Sequence, residues 1–163
     1  MVGRGIHIVT LMVDNEFGVL TRITALIRRA GWNIRSLAVA ETAVPEVSRL
    51  TVCLECRHHS FETVLERLEQ QSCVQAVTRY DPDTQIAREL AILRFGPLDE
   101  AQVARLQADY HAQIMEHTAE GALFTVACRE QELDTWLPEL QALGLQDIAR
   151  TGTVALKRGL RDG

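Results

Sequence analysis

The sequence lacks the common signatures of an enzyme active site. It has no GxxxxGK[ST] loop and no GxGxxG after a strand pattern, so the usual phosphate-binding loops are absent. It has no GxSxG motif for a nucleophilic serine. None of the five histidines stands at a recognisable catalytic spacing from a serine, cysteine or carboxylate. The sequence therefore gives no positive signal for catalysis, and we expect no catalytic residue.

Long apolar runs and an excess of positive charge are also missing. No stretch reaches the roughly 18 apolar residues that a membrane span needs. The first fifteen residues lack the apolar segment and cleavage site of a signal peptide. The net charge of −5 disfavours nucleic acid or an anionic membrane as the main partner. We therefore expect a cytoplasmic protein with neither of these partners.

Cysteine is scarce, with four in the chain. Cys53 and Cys56 stand three residues apart and precede His58 and His59, which raises the possibility of a metal site. However, residues three apart on a strand face opposite sides, and no second pair of ligands follows at a suitable spacing. The pattern favours reduced, partly buried thiols. We expect neither a metal nor a cofactor in this chain.

The first half of the chain shows the order β-α-β-β-α-β. Apolar residues from Val19 to Ala30 fall on one face of a helix, which ends at Gly31. Ser60 is a candidate N-cap for a second helix that buries Phe61 and Leu68. The predicted strands are residues 6–13, 34–41, 47–55 and 74–80. This order predicts a ferredoxin-like unit with an antiparallel sheet and both helices on one face.

A similar order recurs after the stretch DPDTQIA, which has the proline and polar residues of a linker. The predicted strands of the second half are residues 89–95, 113–118, 123–129, 145–150 and 153–157, and its helices are 99–111 and 131–143. The two halves share their order of elements without a visible sequence repeat. We predict an α+β fold of two tandem units, with domains at 1–80 and 88–163 and a linker at 81–87.

The loop between the first strand and the first helix, DNEFG, is the strongest candidate for a binding site. A helix N-terminus has unpaired N–H groups and a partial positive charge. Gly18 allows close approach to the backbone, and the amide of Asn15 can donate or accept hydrogen bonds. An α-amino acid carries both groups that such a loop would recognise. The alternative is a turn that binds nothing, and the residues themselves favour neither interpretation.

The ordered motifs of the chain resemble those of the small regulatory subunit of acetolactate synthase, also called acetohydroxyacid synthase. The pattern N-E-x-G-x-L-x-R is present from Asn15 to Arg22, followed by GWNIRSL at 31–37 and SRLT at 48–51. AREL at 87–90, LFTV at 123–126 and IARTGTVALKRG at 148–159 resemble the C-terminal domain of that family. Phe17 departs from the pattern, since a small residue is common there. The resemblance implies that the first unit is an ACT domain.

The resemblance also implies a function and a site. Two ACT domains are expected to pair side by side as a homodimer, with an effector pocket for valine or a related branched-chain amino acid at their interface. The effector-binding residues implied by the family are Asn15, Gly18, Val19, Leu20, Asn33 and Ile34. The first four are expected from one chain, and Asn33 and Ile34 from its partner.

The expected macromolecular partner is the catalytic, large subunit of acetolactate synthase, which would carry thiamine diphosphate, Mg²⁺ and FAD. The small subunit would activate it and confer feedback inhibition in the biosynthesis of valine, leucine and isoleucine. The main alternative is a free-standing tandem ACT-domain sensor that acts on another target. A small enzyme on a ferredoxin-like fold is a third possibility.

Overall fold

The computed structural model describes residues 5–56 and 61–159 and confirms the α+β class and the two ferredoxin-like units. The first unit contains, in order, β1 (Gly5–Asp14), α1 (Val19–Arg29), β2 (Asn33–Glu41), β3 (Val47–Cys56), α2 (Phe61–Glu69) and β4 (Val74–Arg79). The second half contains β5 (Gln85–Phe95), α3 (Glu100–Tyr110), β6 (Gln113–His117), β7 (Ala122–Cys128), α4 (Glu130–Ala142), β8 (Leu145–Arg150) and β9 (Val154–Lys157).

The first sheet is antiparallel, with strand order β2-β3-β1-β4. Successive side chains of a strand point to opposite faces, so Val9 and Leu11 of β1 share one face and are fully buried. They pack in one core with Ile23 and Ile27 of α1, which recur at helical spacing, and with Leu68 of α2. This amphipathic match places the helices on one face of the sheet. Within the described residues, β2 pairs only with β3 and therefore forms an edge of the sheet.

The second sheet repeats this arrangement with strand order β6-β7-β5-β8, and β9 also pairs with β5. Its central strand, β5, alternates strictly between buried and exposed residues along its whole length. The buried face of β5 includes Leu93 and Phe95, which share a core with Phe124, Leu106 and Leu133. Each half of the chain therefore has a hydrophobic core of its own.

The boundary between the halves differs from the predicted linker at 81–87. β4 ends at Arg79 and β5 begins at Gln85, so residues 80–84 connect the strands. In this turn the Asp81 carboxylate accepts from the Asp83 N–H and the Thr84 hydroxyl. The polar Gln85 suggests a loop in the sequence, yet this residue is buried. The compact units also differ from 1–80 and 88–163. One runs up to Ile86 and includes residues from Thr153 onward, and the other is 87–152.

Candidate effector site in the first unit

The loop from Asp14 to Gly18 presents the N-terminus of α1. Gly18 is the N-cap residue and has φ +84°, a left-handed conformation that side-chain-bearing residues adopt at a cost. No side chain caps this helix end. The Val19 N–H donates to the Glu16 carbonyl at 3.4 Å, and the N–H groups of the next residues in the first turn remain available to an anion such as a carboxylate.

Asn15 already makes four hydrogen bonds within the chain. Its amide Nδ2 donates to Glu41 Oε1 at 3.0 Å and to the Pro45 carbonyl at 2.9 Å. Its Oδ1 accepts from the Ser48 hydroxyl at 3.0 Å, and its backbone N–H donates to the Glu46 carbonyl at 2.8 Å. Asn15 thus ties the β1–α1 loop to the turn between β2 and β3.

We expect Asn15→Ala to lower the free energy of unfolding by about 1–3 kcal/mol, because Ser48 Oγ and the Pro45 carbonyl lose their partner. Urea unfolding of the purified chain measures this. Asn33→Ala is the matched control, since the side chain of Asn33 is exposed and makes no hydrogen bond within the described residues. Equal stability of the two variants would show that the hydrogen bonds of Asn15 between the β1–α1 loop and the β2–β3 turn do not stabilise the fold.

The expected site residues fall into two groups at opposite ends of the first sheet. Asp14 pairs with Val47 at one end of β3, whereas Asn33 pairs with Glu55 at the other end. The eight residue-to-residue steps from Val47 to Glu55 span about 26 Å at roughly 3.3 Å per residue. Within one chain, the two groups of expected site residues are therefore too far apart to contact the same amino acid. We call these groups, the loop 15–20 and the pair Asn33 and Ile34, the two expected half-sites.

A cavity of about 490 Å³ lies beside the second half-site. It is lined by Thr21, Thr24, Ala25, Arg28, Trp32, Asn33 and Ile34. Among the six predicted site residues, Val19 is buried in the core, so its side chain is a packing residue. Leu20 is exposed and Ile34 is partly buried, so both offer apolar surface to a ligand.

The sequence interpretation missed Arg28 and Trp32, which line this cavity from the last turn of α1 and from the residue just before β2. The signal was available, because residues 21, 24, 25 and 28 lie on one face of a helix. Trp32 is 5% exposed, and its Nε1 has no hydrogen-bond partner among the described residues. His7 and Phe61 lie against the Trp32 ring, with centroids 5.9 and 5.6 Å away.

The cysteines of the described segments do not form a metal site. No group of three or more potential ligands occurs within residues 5–56 and 61–159, and His58 and His59 lie outside these ranges. Cys53, Cys73 and Cys128 are buried and form no disulfide within the described residues. Burial, with the nearby Glu89 and Glu132 carboxylates, raises the pKa of Cys128 to about 11, so this thiol stays protonated at neutral pH. No helix in the described part of the chain is long and apolar enough to cross a membrane.

Comparison with known proteins identifies the family of both halves. A family profile described as an AHAS small subunit-like ACT domain matches residues 9–74, and one described as the small subunit of acetolactate synthase matches residues 88–159. The acetolactate synthase small subunit of Mycolicibacterium smegmatis is 27% identical, over 98% of this chain and 95% of the relative. That of Bacillus subtilis is 29% identical, over 94% of this chain and 91% of the relative.

A solved structure agrees with these matches. The crystal structure of the acetolactate synthase small subunit from Thermotoga maritima superposes with a TM-score of 0.83 at 27% identity, and the match covers 94% of this chain and 98% of that one. Because the two family profiles together span most of the sequence in the expected order, this chain belongs to the family of acetolactate synthase small subunits, with an ACT domain at its N-terminus.

Proposed function

We propose that this chain is the non-catalytic regulatory subunit of an acetolactate synthase that serves branched-chain amino acid biosynthesis. It binds the thiamine-diphosphate-dependent catalytic subunit, raises its activity and confers feedback inhibition by valine. The observation that supports this proposal is the separation of the expected effector-binding residues into two groups at opposite ends of one sheet. A sensor with this geometry works only when a second chain supplies the missing half.

The open edge of β2 offers a way to bring the half-sites together. Among the described strands, β2 pairs only with β3, so the nine-residue strand leaves one edge free for a second chain. Two copies of β2 paired antiparallel about a two-fold axis would place the start of one strand beside the end of the other. The start carries Asn33, and the end carries Glu41, which is hydrogen-bonded to Asn15. Homodimerisation through the ACT domain would therefore complete two equivalent pockets.

The chemistry of the two half-sites complements a branched-chain amino acid. The uncapped N-terminus of α1 at Gly18 would receive the carboxylate. The free amide of Asn33 would bind the ammonium or the carboxylate, and Leu20 and Ile34 would contact the aliphatic side chain. A difference of one methylene in such a pocket is worth about 1–3 kcal/mol. We therefore expect valine to be preferred, with leucine and isoleucine bound more weakly.

Reconstitution with the catalytic subunit of the same organism tests the proposal. The chain alone should form no acetolactate, its addition should raise the rate of the catalytic subunit, and valine should then lower that rate. Light scattering of the isolated chain should report a dimer. Absence of activation, or a monomer with and without valine, would contradict the proposal.

The variant Asn33→Ala makes the same test specific to the pocket. It should weaken valine binding by about 1–3 kcal/mol, because one buried polar partner of the ligand is lost. Gln113→Ala is the matched control, since Gln113 is an exposed amide at the start of β6, the strand that corresponds to β2 in the second half. Isothermal calorimetry should show a loss for the first variant alone, and equal affinities would remove Asn33 from the site.

A further inference from the structure

The face of the first sheet opposite its helices carries a second cavity, which the proposed effector site does not use. Ala38 pairs with Thr51 and Ala40 pairs with Arg49, so these four side chains alternate away from the buried Leu50 and Val52. The cavity has a volume of about 350 Å³. It is lined by Ala38, Val39, Ala40, Glu41, Thr42, Ala43, Arg49, Thr51 and Val154. All of these residues belong to the first compact unit.

Arg49 gives this cavity an uncompensated positive charge. The residue is partly buried, and its guanidinium makes no hydrogen bond or ion pair with any residue in the described ranges. Arg150, the partly buried arginine of β8, is instead paired with two carboxylates. A guanidinium has five N–H donors, and those of Arg49 are left to solvent or to a ligand. An unpaired, partly buried arginine that lines a cavity is therefore suited to bind an anion.

The single carboxylate among the lining residues is engaged on the other face of the sheet. Glu41 lines the cavity, but it pairs with Ser48 on the helix side of the sheet, and its carboxylate accepts from Asn15 there. The hydroxyl of Thr42 is engaged with Val44 in the turn after β2. The other groups that a ligand in this cavity can contact are the Thr51 hydroxyl and the short apolar side chains of Ala38, Ala40, Ala43 and Val154.

We propose that this cavity, the Arg49 cavity, binds a small aliphatic monocarboxylate that has no charged amino group, such as a short 2-oxo acid. Arg49 holds the carboxylate through its planar N–H fork. The alanines and Val154 surround the alkyl group, and the volume lies within the range of small-molecule sites. The ammonium of an α-amino acid would lie beside Arg49 without a free carboxylate to pair with it. The Arg49 cavity therefore discriminates oxo acids from amino acids, and it needs only one chain.

Calorimetry on the full chain with 2-oxoisovalerate, and separately with valine, tests this inference. In wild type, 2-oxoisovalerate binds at the Arg49 cavity, and saturating valine does not displace it. Arg49→Gln weakens 2-oxoisovalerate binding at least tenfold and leaves valine binding unchanged. Arg29→Gln, which removes an exposed arginine of α1, is the control and changes neither affinity.

Two further variants separate this site from the proposed effector site. Ala38→Leu fills the Arg49 cavity while Arg49 remains, so it also weakens 2-oxoisovalerate binding at least tenfold. Gly18→Asp, in the effector loop, leaves 2-oxoisovalerate binding intact. A thermal unfolding curve for each variant confirms that it is folded before its binding affinity is measured.

The inference is overturned if wild type does not bind 2-oxoisovalerate, if Arg49→Gln binds it as wild type does, or if valine displaces it. Because the proposed effector function concerns valine and the pair of chains, its failure would leave these results unchanged.

Discussion

Replacing Arg150 with methionine is expected to lower the free energy of unfolding by about 3–5 kcal/mol. Arg150 donates from Nε and Nη2 to the two carboxylate oxygens of Glu89, and from Nη1 to Asp134 Oδ1 at 2.8 Å. The side chain of Glu89 is only 2% exposed. Removal of the arginine leaves that buried carboxylate without its cation, and desolvation of the charge is no longer compensated.

A matched pair on the same sheet provides the control for this prediction. Arg94 of β5 contacts Asp147 of β8 at 3.1 Å, but both side chains are more than half exposed. Arg94→Met should therefore cost at most about 1 kcal/mol. Urea unfolding at neutral pH compares the two variants. Equal losses would show that burial of Glu89 does not determine the strength of its pair.

The double variant Glu89→Leu with Arg150→Met distinguishes a lost attraction from an uncompensated charge. If the unpaired carboxylate of Glu89 causes the loss of stability in Arg150→Met, removal of both partners should recover much of the free energy of unfolding. A double variant as unstable as Arg150→Met alone would show that the cost lies elsewhere, for example in the pair of Arg150 with Asp134.

Replacing Gly18 with aspartate is expected to abolish valine inhibition of the reconstituted enzyme and to preserve activation. The new carboxylate would occupy the helix N-terminus where the ligand carboxylate is expected, and aspartate is itself a good cap for those N–H groups. Two like charges about 4 Å apart repel by about 4 kcal/mol at an effective dielectric constant of 20, almost a thousandfold in affinity. The concentration of valine for half inhibition should rise accordingly.

The fold should tolerate this substitution. A Cβ at Gly18 meets no atom within 4 Å inside the chain, so the cost is mainly the left-handed conformation at φ +84°. Asparagine and aspartate adopt this conformation more readily than other residues with side chains. Gly18→Asn is therefore the control, because it has nearly the same shape without the charge, and it should retain valine inhibition at a raised concentration. Persistent inhibition in Gly18→Asp would place the pocket elsewhere.

The sequence by itself determined the elements whose signals are local. The apolar residues from Val19 to Ile27 predicted α1, and the structure confirms a helix at Val19–Arg29. The order of strands and helices predicted both ferredoxin-like units, and the motifs from Asn15 to Thr51 predicted the ACT family. These signals succeed because periodicity, caps and turns depend on neighbours within a few residues.

Only the tertiary structure decided what depends on residues distant in the chain. The amide of Asn15 was predicted to contact a ligand, but it is bonded to residues 26, 30 and 33 positions away. The register of β3 separates the two half-sites, and burial places Gln85 in β5 and Val19 in the core. Likewise, the sequence does not show that, among the described residues, Arg150 is paired and Arg49 is not. This difference depends on whether the carboxylate of a residue distant in the chain lies within reach of each guanidinium. Such pairings are set by packing of the whole sheet, for which the local sequence carries no signal.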